Sequence, residues 1–233
     1  MSDQSANLAL PYIAAAQAQK HVTHNEAIRR LDAFVQLVLE SVTAAEPPSS
    51  PAEGARWHVP VGATGAFAGH AGTLAAYEAG TFDFLPVAAG FLAFIRDEGR
   101  LAVFDGGAWV SPLASSPHRA AIAATVLEED LALSGAYVET SLAFPDRAIV
   151  LGVSTRTLAA VTGASSYDCG IAGEPAKFGG SLGVAAGSTN AGVIGPTAVY
   201  AATPVRLTAN GGSFTGGNVR VALHFLACAI PGA

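Results

Sequence analysis

Paired carboxylates set across a sugar bond hydrolyse glycosides, and the C-terminal half offers seven candidates: Glu128, Glu129, Asp130, Glu139, Asp146, Asp168 and Glu174. The first three are consecutive and read as a solvated face or turn. After Glu174 the chain holds no Asp or Glu, although Lys177, Arg206 and Arg220 remain. That absence weighs against a carboxylate calcium site there. Gly179-Gly180-Ser181-Leu182-Gly183 satisfies the G-x-S-x-G pattern on paper. A nucleophile elbow needs a strand before it, a helix after it and later acid and histidine partners. Here Gly and Ala follow and His224 is the single later histidine, so a Gly-rich loop or edge strand is expected.

His21 and His24 would share a helix face close to Glu26, but no second ligand pair matches them, so they read as hydrogen-bonded structural groups. No Walker loop, dinucleotide fingerprint, zinc spacing or HExxH occurs. Two lysines and a net charge of −6 argue against a nucleic-acid groove. The expectation is therefore a non-enzyme without cofactor or metal. Neutral or acidic carbohydrate suits the polar and aromatic groups in or beside the C-terminal loops: Tyr167, Asp168, Asn190, Tyr200, Arg206, Asn210, Phe214 and Asn218. Steps such as Asn210-Gly211 and Gly217-Asn218 also serve turns in any sandwich.

Several elements must position these groups. From Ile28 the apolar residues run Ile28, Leu31, Val35, Val38, Val42, a 3-4-3-4 alternation that makes one helical stripe and a short oligomerisation seam. Traced backwards the stripe passes His24, His21, Gln17 and Ala14. Residues 46–54 (EPPSSPAEG) and 111–117 (SPLASSP) read as linkers, since proline neither continues a helix nor donates to a sheet. Three parts follow: a helical segment 1–46, a small unit 54–112 and a C-terminal module 118–233.

The middle unit contains a repeat, LAAYEAGTF (74–82) and LAVFDGGAW (101–109), each reading as strand, tight turn, strand. With the Asp97-Glu98-Gly99 turn this predicts an antiparallel meander. Its aromatics Trp57, Tyr77, Phe82, Phe104 and Trp109 read as core filling before a sugar platform. From Val126 strand-like runs recur at 137–144, 148–153, 157–161, 198–202 and 218–226. In the last, Val219, Val221, Leu223 and Phe225 alternate with polar or small residues, a half-buried strand. The fold class is mostly β: one N-terminal helix, a meander, and a C-terminal antiparallel sandwich of jelly-roll type.

Charged residues are only 13% of the chain, against about 25% in ordinary soluble domains, so much of the surface is expected to be buried against other subunits. Residues 1–116 hold eleven acids and six bases, residues 117–233 seven and six. The longest apolar run, 84–95, is interrupted by Pro86 and Gly90 and is too short for a span. The first residues lack a basic stretch and carry Asp3, so export by a signal peptide is not expected. Synthesis and assembly in the bacterial cytoplasm follow, with Cys169 and Cys228 as buried thiols.

The wording of three segments, residues 10–36 (LPYIAAAQAQKHVTHNEAIRRLDAFVQ), 62–82 (GATGAFAGHAGTLAAYEAGTF) and 105–109 (DGGAW), resembles an uncharacterised domain family of alphaproteobacterial phages, prophages and gene transfer agents. The likeness covers roughly residues 8–112. The remainder, from 145–157 (PDRAIVLGVSTRT) through 178–196 to the end, looks like the β-rich module that follows this domain in many such proteins. The resemblance implies a virion surface component, a head spike or tail fibre, attached by its N-terminal part and touching the recipient cell with its C-terminal module. It assigns no catalytic residues. The expected protein is a homo-oligomer, trimer before pentamer, that meets other particle proteins and binds capsular polysaccharide. A structural adaptor and a depolymerase are the alternatives.

Overall fold

A computed structural model describes residues 4–13 and 20–231, with the helix side chains described from Val22 onward. Asp3, the backward extension of the stripe through Gln17 and Ala14, and the His21 side chain lie outside the described residues. The chain divides into two compact units, Met1–Ser111 and Pro112–Ala233.

The first unit opens with helix α1 (Lys20–Phe34) and continues through β1 (Val38–Leu39), β2 (Arg56–His58), β3 (Thr73–Glu78), β4 (Thr81–Pro86), β5 (Leu92–Ile95), β6 (Arg100–Phe104) and β7 (Trp109–Val110). Two small sheets result, β1-β5-β6-β7 and β2-β3-β4. All pairings are antiparallel except β1 with β5, so the expected meander is split. Both halves of the repeat form strand, turn, strand. Ala79 and Gly80, with φ of 52° and 83°, close the β3–β4 hairpin in the two-residue turn whose twist suits paired strands. Asp105 accepts the Gly107 and Ala108 amides, both at 2.8 Å, to shape the β6–β7 turn.

The helical stripe ends sooner than its spacing predicts. α1 stops at Phe34, Gln36 adopts φ 48°, and Leu37 and Leu39 turn inward to 4% and 0% exposure. Arg56 Nη1 donates to the carbonyls of Asp32 (3.2 Å) and Ala33 (3.1 Å), satisfying the last turn. Burying Leu37, just before β1, and Leu39, on it, outweighs continued helix. Val38 therefore lies on a strand, and Val42 packs against the core built from Ala33, Leu39, Leu74, Ile95 and Phe104. Ile28 is half-buried, whereas Leu31 (50%) and Val35 (39%) remain exposed. Residues 1–46 are thus no separate domain, because α1 and β1 share their core with the meander strands. A second cluster forms around Trp57, Val59, Phe67 and Ala75.

The second unit contains β8 (Pro112–Ser115), β9 (Ala121–Ala132), β10 (Tyr137–Phe144), β11 (Ile149–Thr162), β12 (Ser166–Ile171), β13 (Glu174–Leu182), β14 (Thr189–Ala198), β15 (Thr203–Asn210) and β16 (Gly216–Ala229). A five-stranded sheet has the order β14-β11-β16-β9-β8 and a four-stranded sheet the order β10-β15-β12-β13. Every pairing is antiparallel. The inner faces share one core, in which Phe144, Val205, Leu207 and Tyr167 of one sheet meet Val153, Val219, Leu223 and Phe225 of the other. The protein is therefore mostly β, with one N-terminal α-helix and several antiparallel sheets among the described residues.

Three local expectations change. The linker expected at 111–117 contains β8, paired to β9. The runs 148–153 and 157–161 are one long strand, β11, whose register shifts near Gly152 and Ala159 keep both ends on the core. Cys169 is buried, and burial pushes its thiol up to about 12, but Cys228 is exposed on β16, and both are free.

Candidate functional site

Alternation on the four-stranded sheet sorts its side chains into a core face and an open face. On β12, Tyr167 and Cys169 point inward, so Ser166, Asp168 and Gly170 take the open side; on β15, inward Val205 and Leu207 leave Arg206, Thr208 and Asn210 outside. Register then builds two rows. Tyr137, Thr208 and Asp168 lie side by side, as do Glu139, Arg206 and Gly170.

Within these rows the Arg206 guanidinium lies 4.1 Å from the centroid of the Tyr137 ring, a cation–π contact. Its Nε and Nη2 donate to Glu139 Oε1 at 3.0 and 2.7 Å, which fixes the guanidinium plane. Asp168 Oδ1 accepts from the Ser181 amide and from Asn210 Nδ2, both at 2.7 Å. Thr208 Oγ1, between Tyr137 and Asp168, is buried without a hydrogen-bond partner among the described residues. Tyr137 itself is 51% exposed. The face thus offers an aromatic surface and oriented polar groups, which suits a polar, hydroxylated ligand.

Of the eight predicted contact residues, three meet here: Asp168, Arg206 and Asn210. Tyr167 and Phe214 are corrections, because both are core residues at 1% and 3% exposure. The Tyr167 hydroxyl lies 3.3 Å from Thr157 Oγ1, and a bulky ring on the inward phase of a strand belongs to the sandwich interior. Asn190 belongs to the other sheet and donates to the Phe178 carbonyl at 2.9 Å, tying β14 to β13. Gly192 allows this approach, since a Cβ there would stand 1.8 Å from the same oxygen. Asn218 lies on β16 between Ala132 and Ala159 in register, and Tyr200 is 78% exposed in the β14–β15 connection. Tyr137, Glu139 and Thr208 were missed, although the alternation of YVETSLAF and TPVRLTAN places them outward.

The carboxylates are mostly committed to local bonds. Glu129 Oε2 accepts the amides of Ser141 (2.9 Å) and Leu142 (3.1 Å) at the irregularity in β10. Asp130 takes Arg220 in two bonds of 2.6 and 2.8 Å, which hold its carboxyl below the usual range. Glu128 lies 3.6 Å from the same guanidinium, Glu174 pairs with Lys177 at 2.9 Å, and Asp146 stands beside Arg147. Ser181 lies within edge strand β13 with φ 54°, so the G-x-S-x-G match has no strand-turn-helix context. Ser154 Oγ and His224 Nε2 are 2.9 Å apart on the outer face of the five-stranded sheet. The residues in register with His224 are Gly152 and Val126, neither of which can orient an imidazole as a triad acid would. In the first unit, His24 is exposed and Glu26 is paired with Arg30 at 2.8 Å.

A family model described as a protein of unknown function, DUF2793, matches residues 24–110, most of the first unit. No curated protein matches the chain.

Proposed function

We propose that the chain is a non-enzymatic surface subunit of a phage-like particle, a head spike or tail fibre, whose second unit binds capsular polysaccharide. The observation that carries the binding part is the open face of the four-stranded sheet, where half-exposed Tyr137 and Arg206, its side chain 25% exposed, adjoin the Asp168–Asn210 pair. Sugar rings present an apolar face to aromatic side chains and ring hydroxyls to fixed planar polar groups, which is the chemistry these residues provide.

The virion assignment rests on the wording of residues 10–36 and 62–82 and on the strand orders of the second unit. The orders β14-β11-β16-β9 and β10-β15-β12-β13 interleave eight strands as a jelly roll does, an architecture shared by capsid and lectin domains. The subunit assembles in the bacterial cytoplasm, without cofactor, as a homo-oligomer, trimer before pentamer, seated on other particle proteins. Leu31, exposed on α1, and Val35, exposed just after it, supply apolar surface for that association.

The test is calorimetric titration of the purified protein with capsular polysaccharide of its source strain, with reducing ends followed in parallel. Binding without new reducing ends is expected, and Tyr137→Ala or Arg206→Ala should weaken it about tenfold, the loss of one stacking or charge-assisted contact. Chain cleavage would make the protein a depolymerase. Neither binding nor cleavage would leave a structural adaptor.

A further inference from the structure

Alternation also sorts the five-stranded sheet. On β11, inward Val153, Thr155 and Thr157 leave Ser154 and Arg156 outside; on β16, inward Val219, Val221 and Leu223 leave Arg220, Ala222 and His224 outside. Register then sets Thr189, Arg156, Arg220 and Asp130 side by side across β14, β11, β16 and β9. The adjacent row is Ala191, Ser154, Ala222 and Glu128. The long arginines of the first row stand over the short residues of the second, and an open hollow of about 390 Å³ lies between them, lined by Arg156, Arg220, Thr189 and Glu128. A second hollow of about 390 Å³, toward His224 and Val193, shares Ser154 with the first. Each volume lies in the range of small-molecule sites.

Two like charges stand directly opposite in the first row, and only one has a partner. Arg220 Nε and Nη2 donate to Asp130 at 2.6 and 2.8 Å. Arg156 is exposed and makes no hydrogen bond or ion pair among the described residues. Like charges facing each other on neighbouring strands repel, so an anion held by Arg156 relieves a cost that the fold leaves standing. The planar fork of a guanidinium matches a carboxylate in two parallel bonds. Glu128 lies in the same hollow, 3.6 Å from Arg220 Nε and without a hydrogen bond among the described residues. Its oxygens accept from hydroxyl donors and repel a second negative charge. The remaining titratable group of this face, His224, has its Nε2 2.9 Å from Ser154 Oγ. A guanidinium and a carboxylate, both open to a ligand, select a molecule that carries one negative charge together with hydroxyl donors.

We propose that this hollow binds the acidic ring of a saccharide, a uronate, with the ring carboxylate on Arg156 and a ring hydroxyl donating to Glu128. The neighbouring ring of the chain extends past Ser154 into the second hollow, where exposed Val193 offers it an apolar wall. A phosphate dianion meets the Glu128 charge with no hydroxyl to offset it, and a neutral sugar leaves Arg156 without a counter-charge. The proposal rests on the saccharide reading above for the class of ligand, but not on the face that carries Tyr137 and Arg206, which belongs to the other sheet of the sandwich.

Full-length protein is titrated by calorimetry with two short acidic probes, trigalacturonate and a hyaluronan tetrasaccharide, and with maltotriose and sodium phosphate as neutral and anionic controls. Saturable binding of at least one acidic probe, clearly tighter than either control, is the expected result. Arg156→Gln should weaken that probe about tenfold, as loss of one charge-assisted contact does, and Arg156→Lys should keep part of the affinity because the charge remains. Arg156 is exposed, so an unchanged melting temperature should accompany both substitutions. Tyr137→Ala should leave the short acidic probe bound as before. No binding of either acidic probe, equal binding of maltotriose or phosphate, or unaltered affinity in Arg156→Gln overturns the proposal. An affinity lost in Tyr137→Ala and kept in Arg156→Gln also overturns it, placing the acid on the four-stranded sheet and leaving the saccharide reading intact. Should the Arg156 variants melt differently, the selectivity of the wild type for acidic probes over both controls decides alone.

Discussion

Asp32 shows how one buried carboxylate can organise a segment. At 2% exposure it accepts from Ser5 Oγ (2.7 Å), the Asn7 amide (2.9 Å), Asn7 Nδ2 (2.9 Å) and the Leu8 amide (2.7 Å), so residues 5–8 are held to the end of α1. Burial alone would raise its pKa, but the bonds from Ser5, Asn7 and Leu8 outweigh it and hold the carboxyl below its ordinary value. A depressed folded-state pKa stabilises above the unfolded value, near pH 4, and that stability is lost as pH falls through the folded value. Asp32→Asn should therefore cost about 2 kcal/mol at pH 7 in urea unfolding, and the gap to the wild type should narrow below pH 4. At the same scale, the period of SYDCG in β12 already placed Tyr167 inward and Asp168 outward. Reading Tyr167 as a contact residue gave its chemical type precedence over its phase. That His58 Nε2 and Trp109 Nε1 are buried without a hydrogen-bond partner among the described residues was not legible, because nothing in the local pattern reveals which ring atoms packing leaves unpaired.

At the scale of elements, the hairpins were readable because their turns carry their own chemistry, as Glu78-Ala79-Gly80 and Asp105-Gly106-Gly107 show. The end of α1 was not. Val38 and Val42 continue a helical period in sequence, but the left-handed Gln36 and the burial of Leu37 and Leu39 are decided by β5 and β6, far along the chain. Tertiary burial overrides local period in this way wherever a short helix meets a sheet. What survives of the proposed seam is Leu31 and Val35, whose exposure leaves them unused by their own unit. If they mediate association, Leu31→Asp with Val35→Asp should shift the molar mass in light scattering from oligomer to monomer. The cost to the fold should stay within about 0.5 kcal/mol per site, as for exposed positions. An oligomer of unchanged mass would reject α1 as the assembly element.

For the whole molecule, the decisive feature is that each hydrophobic cluster is confined to one unit. The sandwich core draws on residues from Leu131 to Phe225, and the two smaller clusters on residues from Ala33 to Trp109. Cooperative unfolding follows a shared core, so the two units should melt as two transitions. Phe144 is the probe. It is fully buried, 5.8 Å from Phe225 and 6.1 Å from Phe178, and it joins the two sheets. Phe144→Ala removes a large aromatic from a packed interior, a loss of about 3–5 kcal/mol. For a unit of this size that lowers one melting temperature by roughly 10–20 °C. Calorimetric scans should show that transition moving while the other stays, with the Trp57 and Trp109 environments, both in the first unit, reporting the unmoved one. A concerted shift of both would mean that the units share stability despite their separate cores.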